Sequence, residues 1–217
     1  PGFGNQKKWL TTENFLDQDD WKLSYTEQSQ KLLKINSINL DDKFPKLEVD
    51  IERFKKDNSD ILIPGKKIAF GVDSFEEYKM WYEEDFITLA ELLFEKRLFD
   101  YIYLICGPDK SHISRKIIND SNKKYFIDCS SKDLQGVILA IKSSDFYIGN
   151  NSGPLNMSAA LGVKTFGLIA NDPASELKFS KINPITPKDY IDNVWNRDRS
   201  GMKKLKPNEV FEKIIEK

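Results

Sequence analysis

From Lys66 to Ala170 the chain alternates between short apolar runs and longer stretches with helical spacing. Strands are expected at Lys67–Val72 (KIAFGV), Phe99–Cys106 (FDYIYLIC), Lys124–Cys129 (KYFIDC), Asp145–Gly149 and Lys164–Ala170 (KTFGLIA). Between the first two, Tyr82–Lys96 places Phe86, Leu89, Ala90 and Leu93 on one helical face. Ser111–Ile118 is the second helix. The third opens where Ser130 and Asp133 have capping-box spacing, and carries Leu134, Val137, Ile138 and Ile141 as its stripe. A fourth starts at Pro154. The order β-α-β-α-β-α-β-α-β constrains the fold strongly. Strands and helices alternating at these lengths imply a Rossmann-like parallel sheet with helices on both faces. In such sheets ligands bind beyond the carboxyl ends of the strands. The loops after Val72, Cys106, Gly149 and Ala170 therefore form the expected functional edge.

Outside that series the pattern weakens. Residues 1–24 are irregular, Thr26–Ile35 reads as a helix, and Lys46–Lys56 as a strand giving way to a helix. Asn58–Gly65 reads as a linker ending in a Pro-Gly turn, so the expected division is 1–65 as an appendage and 66–217 as the domain. Beyond Asn171 the chain is loop-like, with Pro173, Pro184 and Pro187, until a closing helix from Pro207 buries Val210, Phe211, Ile214 and Ile215.

Composition removes several function classes. With 33 basic and 34 acidic residues the net charge is -1, so nucleic acid is not an expected partner. Cys106 and Cys129 end apolar runs and read as reduced core residues, which points to a cytoplasmic protein. His112 is the only histidine, so neither a Cys/His metal site nor a cofactor is expected. No run reaches the roughly 18 apolar residues needed to span a bilayer, and no signal peptide is recognisable. Membrane association is expected to be peripheral at most. The chain starts at Pro1 without Met and is expected to be a piece of something longer.

The stretch Asp145–Gly162, DFYIGNNSGPLNMSAALG, is the most informative part of the edge. An apolar strand runs into small and polar residues, then into a helix with Pro154 at its first position and Ser152 as its expected N-cap. The free N–H groups of that first turn suit an anion such as a phosphate.

The order of KMWYEEDFITLAELL, YIYLICGPD and IDCSSKDLQGVILAIKSSDFYIGNNSGPLNMSAALGVKTFGLI resembles the C-terminal domain of glycosyltransferase family 9. These are the lipopolysaccharide heptosyltransferases and their relatives, of the two-domain GT-B fold. The resemblance covers about residues 66–217. It implies that the segment before residue 65 is the end of an N-terminal, acceptor-binding domain plus a linker. It further implies a nucleotide-diphosphate sugar donor, a glycan or glycolipid acceptor such as lipopolysaccharide, and transfer without a metal.

Site residues follow from the resemblance position by position. Lys79 matches the lysine of a Lys-x-Trp-Pro pattern that contacts the donor diphosphate. Ser152 and Gly153 match the phosphate-holding turn of Asp-Ser/Thr-Gly-x-x-His. Gly71, Asp73 and Ser74 match the loop after the first strand, and Gly107 lets backbone approach the nucleotide. The chain departs from the pattern at Asn151 in place of Asp, Asn156 in place of His, and Tyr82 in place of Pro. An asparagine can hydrogen-bond a phosphate or hydroxyl but carries no charge. His112 reads as an exposed loop residue. Three readings are therefore weighed: a donor half that binds but does not turn over alone, its general base lying in the N-terminal domain; a catalytically degenerate binding or interaction module; and another GT-B-like enzyme such as a sugar epimerase.

Overall fold

The computed structural model describes residues 16–23, 25–39, 44–174, 177, 181–192 and 195–216. By its contacts the chain divides into two compact units, residues 1–45 and 46–217. Among the described residues, the first holds a 3-10 turn at Asp19–Lys22 and helix α1 (Tyr25–Ile35). The buried Asp20 carboxylate accepts from Lys31 Nζ there. The irregular stretch expected over residues 1–24 lies mostly outside the described residues, as do residues 40–43.

The second unit begins upstream of the division expected at residue 65. Helix α2 (Ile51–Asp57) is capped by Asp50, whose side chain accepts from the Arg53 N–H at 3.2 Å. The strand expected from Lys46 does not form. Of the alternating residues that suggested it, Leu47 is exposed, while Val49 and Ile51 join Phe54, Ile63 and buried Ile61 against the body's own core. Burial of those side chains draws residues 46–65 into the unit that carries the sheet.

That sheet has six parallel strands: β1 (Lys67–Gly71), β2 (Tyr101–Ile105), β3 (Phe126–Asp128), β4 (Phe146–Asn150), β5 (Lys164–Leu168) and β6 (Ile182–Ile185). Their order across the sheet is β3-β2-β1-β4-β5-β6, the doubly wound order with its switch point between β1 and β4. Helices α3 (Glu83–Glu95), α4 (Ser111–Ser121), α5 (Leu134–Lys142), α6 (Gly153–Ala160), α7 (Ser200–Lys204) and α8 (Pro207–Ile215) complete the unit. Alternate strand residues feed two cores. Ile68 and Phe70 of β1 pack with Phe86, Leu89 and Leu93 of α3, Ile117 of α4 and Val210 of α8. Ala69 of β1 and Tyr147 of β4 pack with Ile138 and Leu139 of α5 and Leu155 of α6. The Rossmann-like sheet with helices on both faces is thus present as expected.

Strand β6 is a correction to the loop expected after Asn171. Pro184 sits inside it, and proline has no N–H for a ladder. Among the described residues β6 pairs with β5 alone, so it is an edge strand, where one row of N–H groups has no strand to meet. The caps also differ from expectation. Asp133, not Ser130, caps α5, its carboxylate accepting from the Gly136 N–H at 2.8 Å. Ser152 occupies the N-cap position of α6, but its buried hydroxyl makes no capping bond and, among the described residues, no well-formed hydrogen bond.

Two glycines let the central strands close at their carboxyl ends. Gly71 and Gly149 are register partners. A Cβ on Gly71 would lie 1.7 Å from the Tyr147 hydroxyl oxygen, and one on Gly149 would lie 2.8 Å from Gly71 Cα. The ring of Tyr147 occupies the space that side chains would need, directly beneath the switch point.

Candidate active site at the switch point

The loops after β1, β2 and β4 are tied together by short polar contacts. The Asp73 carboxylate accepts from the Gly107 N–H at 2.8 Å. Ser74 is buried and donates through Oγ to the Asn151 carbonyl at 3.1 Å, across the switch. Lys110 Nζ donates to the Ser74 carbonyl at 2.7 Å. Burial pushes the Asp73 carboxyl above its usual range, against the pull of the Gly107 N–H and Lys110. The structure therefore brings Asp73, Ser74, Gly107 and Asn151 together. The Gly107 N–H is already used by Asp73.

Lys79 ends a 3-10 turn at Glu77–Lys79, and the backbone around it is held from three directions. Asn150, the last residue of β4, accepts from the Trp81 N–H at 2.9 Å. Asn171, just beyond β5, donates to the Tyr78 carbonyl at 2.5 Å and the Asp198 carbonyl at 2.9 Å. Arg199 donates through Nε to the Met80 carbonyl at 2.7 Å and through Nη2 to the Trp81 carbonyl at 2.9 Å. The Arg199 guanidinium lies 4.1 Å from the ring centre of Tyr82, the residue that stands where the family pattern has proline.

The Lys79 ammonium lies 2.5 Å from Glu76 Oε2 and 3.6 Å from Asp172 Oδ1. Asp172 Oδ2 accepts from Asn151 Nδ2 at 3.1 Å. Burial alone would lower the Lys79 pKa, but the Glu76 pair and the Asp172 charge outweigh it and hold it above the ordinary value. The hydrogen bond from Lys79 keeps the Glu76 carboxyl below its usual range. Burial raises that of Asp172, opposed by the Asn151 amide and Lys79. The site thus presents an ammonium group beside the turn that opens α6.

The first turn of α6 is unevenly filled. A Cβ added to Gly153 would meet nothing within 4 Å, so this backbone borders open space. Asn156 instead turns its amide back to the Ser152 carbonyl at 3.3 Å. His112 is exposed as expected, but it lies in the first turn of α4 and not in the preceding loop. A cavity of about 160 Å³, lined by residues including Ala170, Asn171, Tyr190, Gly201 and Lys204, adjoins the Asn171 side of the cluster. Among the described residues, no group of three or more His, Cys, Asp or Glu side chains is placed to hold a metal ion.

Sequence reasoning missed Asn150, Asn171, Asp172 and Arg199. Asn171 and Asp172 do follow an expected strand at its functional end, which is the signal that could have marked them. Arg199 had no such signal.

The sequence matches glycosyltransferase family 9 (heptosyltransferase) over residues 5–215. Among curated proteins, none matches it. Solved structures share the fold. The E. coli ADP-heptose LPS heptosyltransferase II superposes with a TM-score of 0.65 at 15% identity, over 79% of this chain and 53% of that one. The E. coli heptosyltransferase WaaC with ADP gives 0.63 at 16%, over 88% and 55%. A family 9 glycosyltransferase from Veillonella parvula gives 0.75 at 15%, over 97% and 65%. The chain therefore spans between about half and two thirds of the length of these structures. With a family match running nearly end to end, and a doubly wound sheet shared with GT-B heptosyltransferases, the chain belongs to glycosyltransferase family 9.

Proposed function

We propose that the unit 46–217 is the C-terminal, donor-binding half of a heptosyltransferase-like enzyme, and that the chain binds a nucleotide-diphosphate sugar at the β1/β4 switch point. One observation carries the reading: Lys79 is held by buried neighbours beside the N-terminal turn of α6, at the edge where doubly wound folds take their ligands. A leaving diphosphate needs positive potential that is in place before reaction. The Lys79 ammonium and the N–H groups from Gly153 onward supply it, the first as a compact charge and the second through the helix dipole. Relatives solved with ADP and with ADP-D-beta-D-heptose support a nucleotide sugar as the donor class.

In this reading the acceptor is a cell-surface glycan or glycolipid such as lipopolysaccharide, and its general base comes from the N-terminal domain. Residues 1–65 would be the end of that domain and the linker to it, with the linker's stretch 46–65 packed onto the donor half. The chain alone then binds donor without transferring the sugar. The setting is cytoplasmic, with at most peripheral membrane contact; no described helix is long and apolar enough to cross a membrane. A second reading, a binding module that has lost catalysis, is favoured by Asn151 and Asn156 at two positions where the family pattern has ionisable groups.

Thermal unfolding in the presence of ADP-, GDP-, UDP- and CMP-sugars tests the proposal. One nucleotide class should raise the melting temperature, and Lys79→Ala should abolish the rise. No response to any of the four overturns donor binding by this chain. Sugar transfer by the chain alone overturns the assignment of the base to the other domain.

A further inference from the structure

Lys79 stands between two carboxylates in different settings. Glu76, one turn earlier on the same segment, has a side chain 42% exposed, whereas that of Asp172 is 5% exposed. Water solvates the first pair about as well as its members solvate each other, so little is lost when it opens. The second is different, because removing the counter-charge of a buried carboxylate leaves that charge uncompensated. An anion that competes for Lys79 therefore displaces Glu76 and leaves Asp172 in place.

Asp172 also reaches the other side of the switch. Its Oδ2 accepts from the Asn151 amide, and the Asn151 carbonyl accepts from Ser74. Through Asp172 the segment after β1 is joined to the turn after β4. The residue type at 151 follows from the same geometry. A carboxylate there would stand about 3 Å from Asp172, and two such groups cannot both stay ionised. An amide can donate to Asp172 and leave the latter's charge for Lys79. The acid at 172 and the amide at 151 act as one unit.

We infer that Asp172 is a positioning residue of the donor site: it fixes the Lys79 ammonium and the Asn151 amide relative to each other, while Glu76 is the partner that a diphosphate displaces. The inference rests on the donor-site reading above. Asp172 acts through its two neighbours and need not touch the donor.

Calorimetric titration of the whole chain with ADP tests it, using Glu76→Gln, Asp172→Asn and the exchange Asn151→Asp/Asp172→Asn. Asp172→Asn should weaken ADP binding about tenfold, and Glu76→Gln by no more than about threefold. The exchange restores one acid and one amide, and should bind ADP at least about fivefold more tightly than Asp172→Asn alone. Unchanged affinity in Asp172→Asn, or no recovery in the exchange, overturns the inference. A ligand-free arm uses urea unfolding of Lys79→Met combined with either acid variant. Coupling of Lys79 to Asp172 should change the unfolding constant about tenfold, and coupling to Glu76 about twofold. Coupling to Glu76 as large as that to Asp172 overturns it. If the wild-type chain binds none of the nucleotides, the donor-site reading fails by itself, and the urea arm still decides whether Asp172 holds Lys79.

Discussion

Asn150→Ala is the sharpest perturbation of the lysine-bearing segment that leaves the lysine itself untouched. Asn150 is 0% exposed, and its Oδ1 accepts from the Trp81 N–H at 2.9 Å. Truncation orphans that N–H in a place water does not reach, at a cost of about 1–3 kcal/mol. A partial offset exists, because the Asn150 Nδ2 is itself buried without a hydrogen-bond partner among the described residues and its desolvation is relieved. The net loss should be about 1–2 kcal/mol. For a unit of this size that lowers the melting temperature by about 2–8 °C. Urea and thermal unfolding measure the loss, and the ADP-induced shift in melting temperature should shrink with it, since Lys79 lies on the same segment. Asn150→Asp provides the control. It keeps the acceptor for Trp81 but places a buried charge there, so it should be the less stable variant at neutral pH. A buried acid has a folded pKa above its unfolded value, so its penalty is present above the folded pKa and fades on acidification. An Asn150→Ala protein within about 0.5 kcal/mol of wild type, with an undiminished response to ADP, would refute this account of how Lys79 is held.

Gly71→Ala should cost about 3 kcal/mol in urea unfolding, because its Cβ would lie 1.7 Å from the Tyr147 oxygen. Tyr147→Phe alone should be neutral or slightly stabilising, since that buried hydroxyl makes no well-formed hydrogen bond among the described residues, and it should reduce the cost of Gly71→Ala; strict additivity of the two refutes the contact. Burial, and then the neighbouring Glu84, push the Asp85 carboxyl up from 3.8 to about 6. An acid raised on folding costs stability above its folded pKa, and the cost disappears as pH falls through the window from about 6 to 3.8. Asp85→Asn should therefore raise the melting temperature at about pH 8 and leave it unchanged at about pH 3, and an equal effect at both refutes the assignment. Cys106 and Cys129 are buried free thiols, pushed up by burial to about 11 and about 12. A colourimetric thiol titration should find both unreactive until denaturant is added; prompt reaction of either in the native protein counts against this burial.

The parts of the fold legible in the sequence were those built from local pattern. Strands such as YIYLI and helices such as α3 carry their burial in their own spacing. Once they alternate, the parallel sheet and its functional edge follow. Strand β6 was not legible because Pro184 reads as a breaker until its edge position is known. The packing of α2 was hidden for a similar reason: Ile51 and Phe54 gain meaning only from the core they meet. At the site, Glu76 and Lys79 are one turn apart and could be paired by spacing alone. Asp172 could not, because its contacts with Lys79 and Asn151 exist only after β4 and β5 lie side by side. Capping failed differently. Ser130 and Ser152 both had suitable chemistry, but Asp133 capped α5 and the Ser152 hydroxyl is buried away from the helix N–H groups.

The edge carries two acids, the half-buried Asp73 and the buried Asp172, each with a lysine near it, and the two lysines are committed to different degrees. Lys110 donates to the Ser74 carbonyl and lies 3.6 Å from the Met80 sulfur. Moving it would loosen the same Ser74 that bridges to Asn151 across the switch. Its role is to fix the loops. Lys79 makes its shortest contact with the half-exposed Glu76, a bond that opens at little cost. Its backbone is meanwhile held by Asn150, Asn171 and Arg199, so the ammonium can change partners without the segment moving. An anion-binding cation needs that combination of a fixed base and a replaceable counter-ion, because affinity is lost both to a floppy stem and to an unbreakable internal pair. Of these two lysines, Lys79 meets both requirements and Lys110 meets only the first.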